Sequence, residues 1–412
     1  MSTGRNQKGA ETPEESSRRN TASERPWIPV TAQMPDHVMA LAGIPAKTFY
    51  WDARTFVDAM AKVTAYYDMD GLMPAADVYN FEIEAMGGKM VYSDNAMPTI
   101  DHRVPIIKEP EDLLKLHTPD FYRDGRLPYA LDCIKLSAEF GGWQCGIFCA
   151  PFSMAAGLRS YPLLIKDMRK RPQFTHDLFN FIIDDVLIPF LRVQKDYCGV
   201  SIAVSADAWS AIPNLSVREL REWVEPYNRR LIAKAKKLGV TALCVSGQYV
   251  EERPEKFDVG LLHAGFDLQV ADQSSTTSIS VHMGPWDDFP LECIRAYTEK
   301  YREQGIETAV RVGINPKLLR DGPADKIAST VKRVINTFAR DHEIGVFLSN
   351  VPSDTPPKHV HTAVAAAHTY GRLPIADNLD KVEFKPFKRE SFQEWKAKVA
   401  RDDPGRTKGD PA

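Results

Sequence analysis

The chain has 412 residues, of which 43% are hydrophobic and 26% charged, as is usual for a globular protein of one or two domains. The formal net charge is −3 and no run of lysine and arginine forms a basic stripe, which argues against a nucleic-acid partner. No apolar run approaches the ~20 residues of a membrane-spanning helix, and six cysteines without a CxxC pair do not indicate a disulfide framework, so we expect a cytoplasmic protein.

The two ends of the chain are polar. Residues 1–26 lack the apolar core of a secretory signal, and we expect them to form a disordered tail. Residues 391–412 are predicted to form a polar C-terminal tail. No Gly/Ser-rich or Pro-rich linker divides residues 27–390, which we predict to be one domain.

Helical and strand patterns alternate through this domain. Helices are predicted over Arg54–Asp68 and Ser216–Gly239, the second starting with a capping box formed by Ser216 and Glu219. A short apolar run, "GLMPA", begins at Gly71, and the predicted strands then lie, in chain order, within Trp143–Phe152, Val200–Trp209, Val240–Val245, Phe266–Asp272, Thr308–Gly313 and Ile344–Asn350. Such alternation favours a parallel α/β sheet, either a (β/α)8 TIM barrel or a doubly wound sheet, and the absence of a GxGxxG fingerprint favours the barrel.

Active sites of such barrels lie at the carboxyl ends of the strands. The residues in these positions are mostly polar with few cations, which suits a neutral or weakly charged organic substrate. They are Asp77, Cys149, Ser153, Ser205, Asp207, Cys244, Ser246, Gln248, Asp272, Gln273, Asn315, Ser349 and Asn350. Each has a structural alternative, since a strand-end aspartate often caps a helix, a cysteine is often core, and Asn350 can shape a turn. No pattern places the segment that holds His282.

Six segments carry a resemblance to a known family. They are "DGLMPAADVYNFEIEAMGGKMVYSDNAMPTI", "HRVPIIKEPEDLLKL", "GIFCAPFSMAAGLRSYPLLIKDMRKRP", "VSADAWSAIPNLSVRELREWVEPY", "VRVGINPKLLRDGPADKIASTVKRVI" and "FLSNVPSDTPPKHVHTAVAAAHTYGR". In this order, from about Asp70 to Arg372, they resemble the uroporphyrinogen decarboxylase superfamily. That resemblance implies a (β/α)8 barrel and one of two activities, decarboxylation or corrinoid-dependent methyl transfer.

The N-terminal part of the domain bears on the choice of branch. The decarboxylases have an Arg-rich segment that binds a substrate with many carboxylates, whereas Pro45–Phe56 here reads "PAKTFYWDARTF". The resemblance therefore implies a methyltransferase that moves the methyl group of a small O-, N- or S-methylated compound to a corrinoid protein or to tetrahydrofolate, as a monomer or homodimer. On this reading Asp77, Asp207 and Asn350 are catalytic, and the substrate-binding residues are Cys149, Ser205, Gln248, His282 and Asn315.

The resemblance also raises the question of zinc. Methyltransferases of this branch usually bind zinc through a His-x-Cys at the end of a middle strand and a later Cys. The matching positions here hold Cys244, Ser246 and Asn350, so the usual ligand set is absent. A site rebuilt from Cys244 with Glu251 or His282 is the alternative.

Two other functions stay open. One is a cofactor-free decarboxylase or lyase in which Asp77 stabilises a cation or donates a proton. The other is a barrel that serves as a non-catalytic subunit, which the missing zinc ligands suggest.

Overall fold

A computed structural model describes residues 26–73, 77, 79–94, 96–142, 144–271, 276–386 and 388–402. The predicted site residues Asp272 and Gln273 lie outside these ranges. Within them, no helix combines the length and apolar character needed to cross a membrane.

The described residues form nine strands. They are β1 (Val30–Ala32), β2 (Met90–Ser93), β3 (Ala96–Ile100), β4 (Gly146–Cys149), β5 (Ile202–Ala206), β6 (Thr241–Val245), β7 (Thr276–His282), β8 (Glu307–Ile314) and β9 (Ile344–Leu348). Seven of them run parallel in two ladders, in the orders β1-β9-β8-β7 and β4-β5-β6, while β2 and β3 form a separate antiparallel pair.

An extended segment lies beside β1, at the end of one ladder. Residues 70–73 follow the first long helix, and the backbone N–H of Asp70 donates to the carbonyl of Val30 in β1 at 3.1 Å. The chain thus passes through eight extended segments separated by helices. The predicted (β/α)8-barrel fold is confirmed, with β1 and β9 adjacent as closure of a barrel requires.

The helices lie between these strands and cover them. They are α1 (Pro35–Ala42), α2 (Ala46–Phe49), α3 (Ala53–Tyr66), α4 (Phe81–Ala85), α5 (Leu127–Glu139), α6 (Pro151–Arg159), α7 (Tyr161–Lys170), α8 (Pro172–Phe181), α9 (Ile188–Cys198), α10 (Val217–Trp223), α11 (Glu225–Lys237), α12 (Val259–Ala271), α13 (Leu291–Arg302), α14 (Pro316–Asp321), α15 (Ala324–Phe338), α16 (Pro357–Tyr370) and α17 (Phe392–Asp402). A single π-helical turn, Ile182–Leu187, joins α8 to α9.

Several predicted elements differ from the structure in type or length. The capping box at Ser216 and Glu219 is confirmed, but the helix it starts is two helices, because Pro226 lies just inside the second. The strand predicted over Phe266–Asp272 is wrong, since those residues up to Ala271 end helix α12. The neighbouring strand is β7, which contains His282.

The segment after residue 390 adds a helix to the barrel. Phe392 is buried in α17, and its ring lies edge-on to Tyr66 of α3 and stacked on Trp395. The chain thus continues past the last barrel helix and packs back on α3. The division of the chain at residues 26 and 390 stays a prediction.

Each ladder has an edge whose backbone groups are bound by a glutamine side chain. Gln194 of α9 accepts from the N–H of Ile147 in β4 at 2.9 Å and donates to its carbonyl at 2.8 Å. Gln269 of α12 does the same for Ser280 in β7, at 2.8 and 3.2 Å. Both glutamines are buried, so they satisfy backbone groups that would otherwise be stranded away from water.

Side-chain alternation identifies the two faces of the strands. A Cβ on Gly146 would lie 2.5 Å from the Gln194 amide oxygen and 2.9 Å from the Cβ of Ala203, so these positions face the helix layer. The register continues this face from Ser205 to Cys244. Cys145 and Cys149 lie one and three residues from Gly146, so both face the opposite side, the barrel interior, whereas Cys244 faces the helices.

Candidate active site

A buried ion-pair network lies beyond the segment 70–73. The carboxylate of Asp77 accepts from the Arg126 guanidinium at 2.5 Å and also from the Asn80 amide, and Arg126 donates to Glu84 at 2.6 Å. Asp77 and Arg126 are fully buried. Burial raises the pKa of Asp77 to about 6, although Arg126 lowers it. Because a guanidinium does not deprotonate in proteins, the pair holds Asp77 as a carboxylate at neutral pH.

Glu82 is a second fully buried carboxyl group beside this network. One of its oxygens accepts from the backbone N–H of Cys149 at 2.9 Å, and the other has no hydrogen-bond partner among the described residues. Burial raises the pKa of Glu82 to about 7, and the nearby charge of Asp77 adds to the rise. Glu82 therefore gains and loses a proton near neutral pH.

Asp207 follows β5 at the same end of the barrel. Its Oδ1 accepts from the Ser153 hydroxyl of α6 at 2.5 Å, and its Oδ2 is buried with no hydrogen bond in the described part of the chain. Burial raises the pKa of Asp207 to about 6, against the lowering effect of the Ser153 hydroxyl. This carboxyl group can hold a proton close to neutral pH, and one of its oxygens has no hydrogen-bond partner among the described residues.

Tyr79 lies near these groups and was missed by the sequence analysis. Burial, together with the nearby charges of Cys149, Asp207 and Asp77, raises the pKa of its phenol to about 12. Tyr79 thus keeps its proton at neutral pH. Its position two residues after Asp77, in the same loop, is the only sequence signal that pointed to it.

The thiol of Cys149 belongs to this cluster but is a poor nucleophile. It is fully buried, and burial together with the charges of Glu82 and Asp207 raises its pKa well above that of a free thiol. The structure brings Asp77, Cys149 and Asp207 together as predicted from their strand-end positions. Their catalytic and binding roles stay predictions.

The opposite side of the mouth contains the predicted residues of β7, β8 and β9. His282 lies 2.5 Å from the Ser349 hydroxyl through Nδ1, and burial lowers its pKa to about 4, so the imidazole is neutral. The Asn315 amide donates to the carbonyl of Met283 at 2.9 Å, and its oxygen caps α14. Asn350 is exposed in the left-handed region at φ 45°, which fits the turn that Pro352 predicts.

The tip of β6 does not assemble a metal site. Ser246 accepts from Asn228 of α11 at 3.1 Å, so it points, like Cys244, into the helix layer. Glu251 accepts from Arg253 at 3.0 Å, and this bond lowers the pKa of Glu251. Within the described ranges, no group of three or more His, Cys, Asp or Glu side chains is placed to hold a metal ion. The residues predicted as zinc ligands therefore do not fit the ion.

The remaining predicted residues play backbone roles or are buried. Gln248 accepts from the N–H of Ile212 through its carbonyl at 2.7 Å. Ser205 lies on the helix-facing side of β5, where its hydroxyl is buried without a hydrogen bond to any described residue. Among the described residues, no hydrogen bond joins either side chain to the acidic cluster of Asp77, Glu82 and Asp207.

Comparison with known proteins is consistent with this geometry. The family model described as uroporphyrinogen decarboxylase (URO-D) matches residues 15–370. Among solved structures, a methyltransferase from Methanosarcina mazei has a similar fold, with a TM-score of 0.61 and 16% identity over 83% of this chain and 93% of that one. No curated protein matches the sequence.

Proposed function

Because the chain belongs to the uroporphyrinogen decarboxylase family, we propose that it is a methyltransferase of this superfamily, acting on a small O-, N- or S-methylated compound. The observation that carries the proposal is the proximity, at one end of the barrel, of the protonated phenol of Tyr79 and Asp207, whose Oδ2 has no hydrogen-bond partner among the described residues. The fold shared with the Methanosarcina mazei methyltransferase supports the methyl chemistry. The proposed methyl acceptor and the class of methyl donor are also taken from the similarity to methyltransferases of this superfamily.

The proton-holding residues suit the departing group of such a reaction. When the bond between the methyl carbon and its heteroatom breaks, both electrons stay on the heteroatom, which needs a proton to leave easily. Asp207 or Tyr79 supplies that proton, and Glu82 can restore it. A corrinoid protein or tetrahydrofolate supplies the nucleophile that accepts the methyl group. No step passes through zinc.

The segment Pro45–Phe56 does not direct cations into the barrel mouth, which argues against a substrate with many carboxylates bound there. Lys47 is exposed, and Arg54 lies at the surface 4.0 Å from Glu139, with more than half of each side chain exposed. These cations are not directed into a buried site. Holding a substrate with many carboxylates would require several such groups in the mouth.

The proposal is tested by following methyl transfer. The purified protein is mixed with a corrinoid protein or tetrahydrofolate and a panel of methoxylated aromatics and methylamines. We expect Asp207→Asn to lower turnover of methoxylated aromatics by about 10²- to 10⁴-fold, the usual loss on removing a general acid. The loss should shrink for nitro-substituted methoxyaromatics, because their phenolates leave without a proton.

Asp177→Asn, which changes an exposed carboxylate on α8, is the matched control and should transfer methyl groups at the parent rate. A folded protein that transfers no methyl group from any donor would contradict the proposal. Release of CO2 without corrinoid, abolished by Asp77→Ala, would instead support the decarboxylase alternative. Unchanged function of a larger complex after changes at Asp77, Asp207 and Cys244 would support a non-catalytic subunit.

A further inference from the structure

Arg311 lies in the interior of the barrel, below the proposed site. Its neighbours Val310 and Val312 in β8 are almost fully buried, and helices α13 and α15 pack against this strand. Alternation along the strand therefore turns Arg311 inward. The guanidinium lies over the ring of Phe347, 5.5 Å from its centroid, and close enough to Cys145 for the two to interact electrostatically.

Among the residues that the structure describes, none is placed to neutralise the charge of Arg311. No ion pair or hydrogen bond joins its side chain to a described residue, and burial lowers its pKa. The buried guanidinium groups with a structural role are each paired, Arg126 with Asp77 at 2.5 Å and Arg159 with Asp167 at 2.7 Å. A partly buried guanidinium without a partner among the described residues favours a bound anion that supplies the counter-charge.

The interior around Arg311 has room for such a counter-charge. Its register partners on the two adjacent strands are small, Ser280 in β7 and Gly345 in β9. Arg311, Ser280 and Gly345 all retain partial solvent exposure, whereas inward positions of such barrels are ordinarily filled by bulky branched side chains. Beside the Phe347 ring, the two register partners at this level are therefore small, and the level keeps some contact with solvent.

Arg311 lies a short distance below the mouth of the barrel. His282 pairs with Gly313, and Arg311 lies two residues earlier in β8, so the guanidinium layer is about 6–7 Å below the His282 layer. A ligand that enters from the mouth can place one end against Arg311 and leave its other end among the proton donors. A planar carboxylate is the group that a guanidinium binds best, through two parallel hydrogen bonds.

We propose that the barrel interior binds the carboxylate of the substrate through Arg311, so that the methyl donor is a small methylated acid rather than a neutral compound. The identification of the ligand as a methyl donor rests on the proposed function. Its carboxylate is inferred from the interior of the barrel alone. Arg311 acts as a specificity-determining residue, and the reacting methyl group lies at the opposite end of the molecule.

The test is a binding measurement that needs no corrinoid. Calorimetry compares methoxybenzoates with the matching methoxybenzamides, which share shape but lack the charge. We expect the parent protein to prefer the acids by about 10- to 100-fold, the value of a charge-assisted hydrogen-bond pair. Arg311→Met should abolish this preference, and Arg311→Lys, which keeps the charge, should retain part of it even where the methionine variant folds poorly.

The matched control is Arg333→Met, which removes a half-buried arginine of the outer helix α15 and should leave the preference intact. Equal binding of acids and amides by the parent protein, a preference that survives in Arg311→Met, or no binding of any acid at millimolar concentration would each overturn the inference. Methyl transfer from neutral donors alone would overturn it while keeping the proposed function. Arg311-dependent binding of acids without any transfer would do the reverse.

Discussion

Glu82 combines a structural bond with a proton that is held near neutral pH. Its carboxylate accepts the Cys149 N–H, and burial raises its pKa to about 7, whereas a glutamate in the unfolded chain titrates near pH ~4.3. Between these values the folded protein holds a proton that the unfolded chain has released. The free energy of unfolding therefore falls as the pH rises through this interval.

Replacement of Glu82 by glutamine should remove this pH dependence. The amide oxygen still accepts the Cys149 N–H, but the side chain no longer titrates. Relative to the parent, we expect Glu82→Gln to gain up to about 3 kcal/mol in the free energy of unfolding between pH ~5 and pH ~8, measured by urea denaturation. The control is Glu252→Gln, an exposed partner of Lys317. A difference that is the same at both pH values would show that Glu82 is not responsible.

Residues with a local signal were found from the sequence, and residues joined only by the fold were not. Asp77 and Asp207 follow extended segments, so strand-end logic found them. Arg126 lies about fifty positions after Asp77 at the start of α5, and no short-range pattern links the two. Arg311 did carry a signal, a lone charge between buried valines in a strand, which predicts an inward-facing cation.

At the scale of elements, the two glutamine-bound edges show where the ladders of the barrel stop. Gln194 replaces a neighbouring strand for β4 and Gln269 does so for β7. Each glutamine sits on a helix that packs behind its strand. The helix layer therefore satisfies backbone groups of the edge strands as well as covering them.

Removing Gln194 should destabilise the fold substantially. Gln194→Ala leaves a buried N–H and a buried carbonyl of Ile147 without partners, which costs about 1–3 kcal/mol each. We expect the free energy of unfolding to fall by about 2–5 kcal/mol in chemical denaturation. The control is Gln173→Ala, which changes an exposed glutamine of α8 and should lower the free energy of unfolding by less than about 0.5 kcal/mol. A loss in Gln194→Ala as small as in this control would mean that water can satisfy the edge of β4.

The one strand that was predicted wrongly shows a limit of periodicity in short segments. Phe266, Leu268 and Val270 alternate with polar residues, which is the pattern of a half-buried strand. Over the longer span of α12, the buried positions include Leu262, Phe266 and Gln269, at helical spacing. A window that began earlier, at Val259, would have favoured the helix.

At the scale of the whole molecule, Asp70 joins the two ends of the barrel. Its carboxylate accepts from the Trp27 indole and from the N–H of Val30, both at 2.8 Å, and from His368 of α16 at 2.9 Å. Burial alone would raise its pKa, but these bonds lower it overall. The first strand and the last barrel helix are thus held by one side chain.

Loss of this carboxylate should loosen the closure of the barrel. We expect Asp70→Ala to lower the free energy of unfolding by about 3–5 kcal/mol, the usual cost of removing one partner from a buried charged network. Hydrogen exchange should rise first in β1 and near Gly371, whose carbonyl accepts the N–H of Ile28. Asp58→Ala breaks only an exposed pair with Lys62 and should change neither. Unchanged exchange in β1 after Asp70→Ala would show that the ladder with β9 closes the barrel by itself.

The order of strands and helices favoured the barrel over a doubly wound sheet, because each long apolar segment carries its own periodicity, and the six family-like segments supported it. The closing strand β1 was not found, since three residues are too short to show a period of two. Its identity comes from pairing with β9, more than three hundred positions later. Closure is therefore a property of the assembled chain.

The acidic cluster at the mouth also couples ligand binding to the solution. Three carboxyl groups, Asp77, Glu82 and Asp207, have pKa values of about 6 to 7 within one enclosed space. A ligand that displaces water or brings negative charge raises the pKa values of all three carboxyl groups. The groups therefore take up protons from the buffer as the ligand binds. The heat of binding then depends on the ionisation enthalpy of the buffer, and apparent affinity changes with pH even for a donor whose own charge is constant.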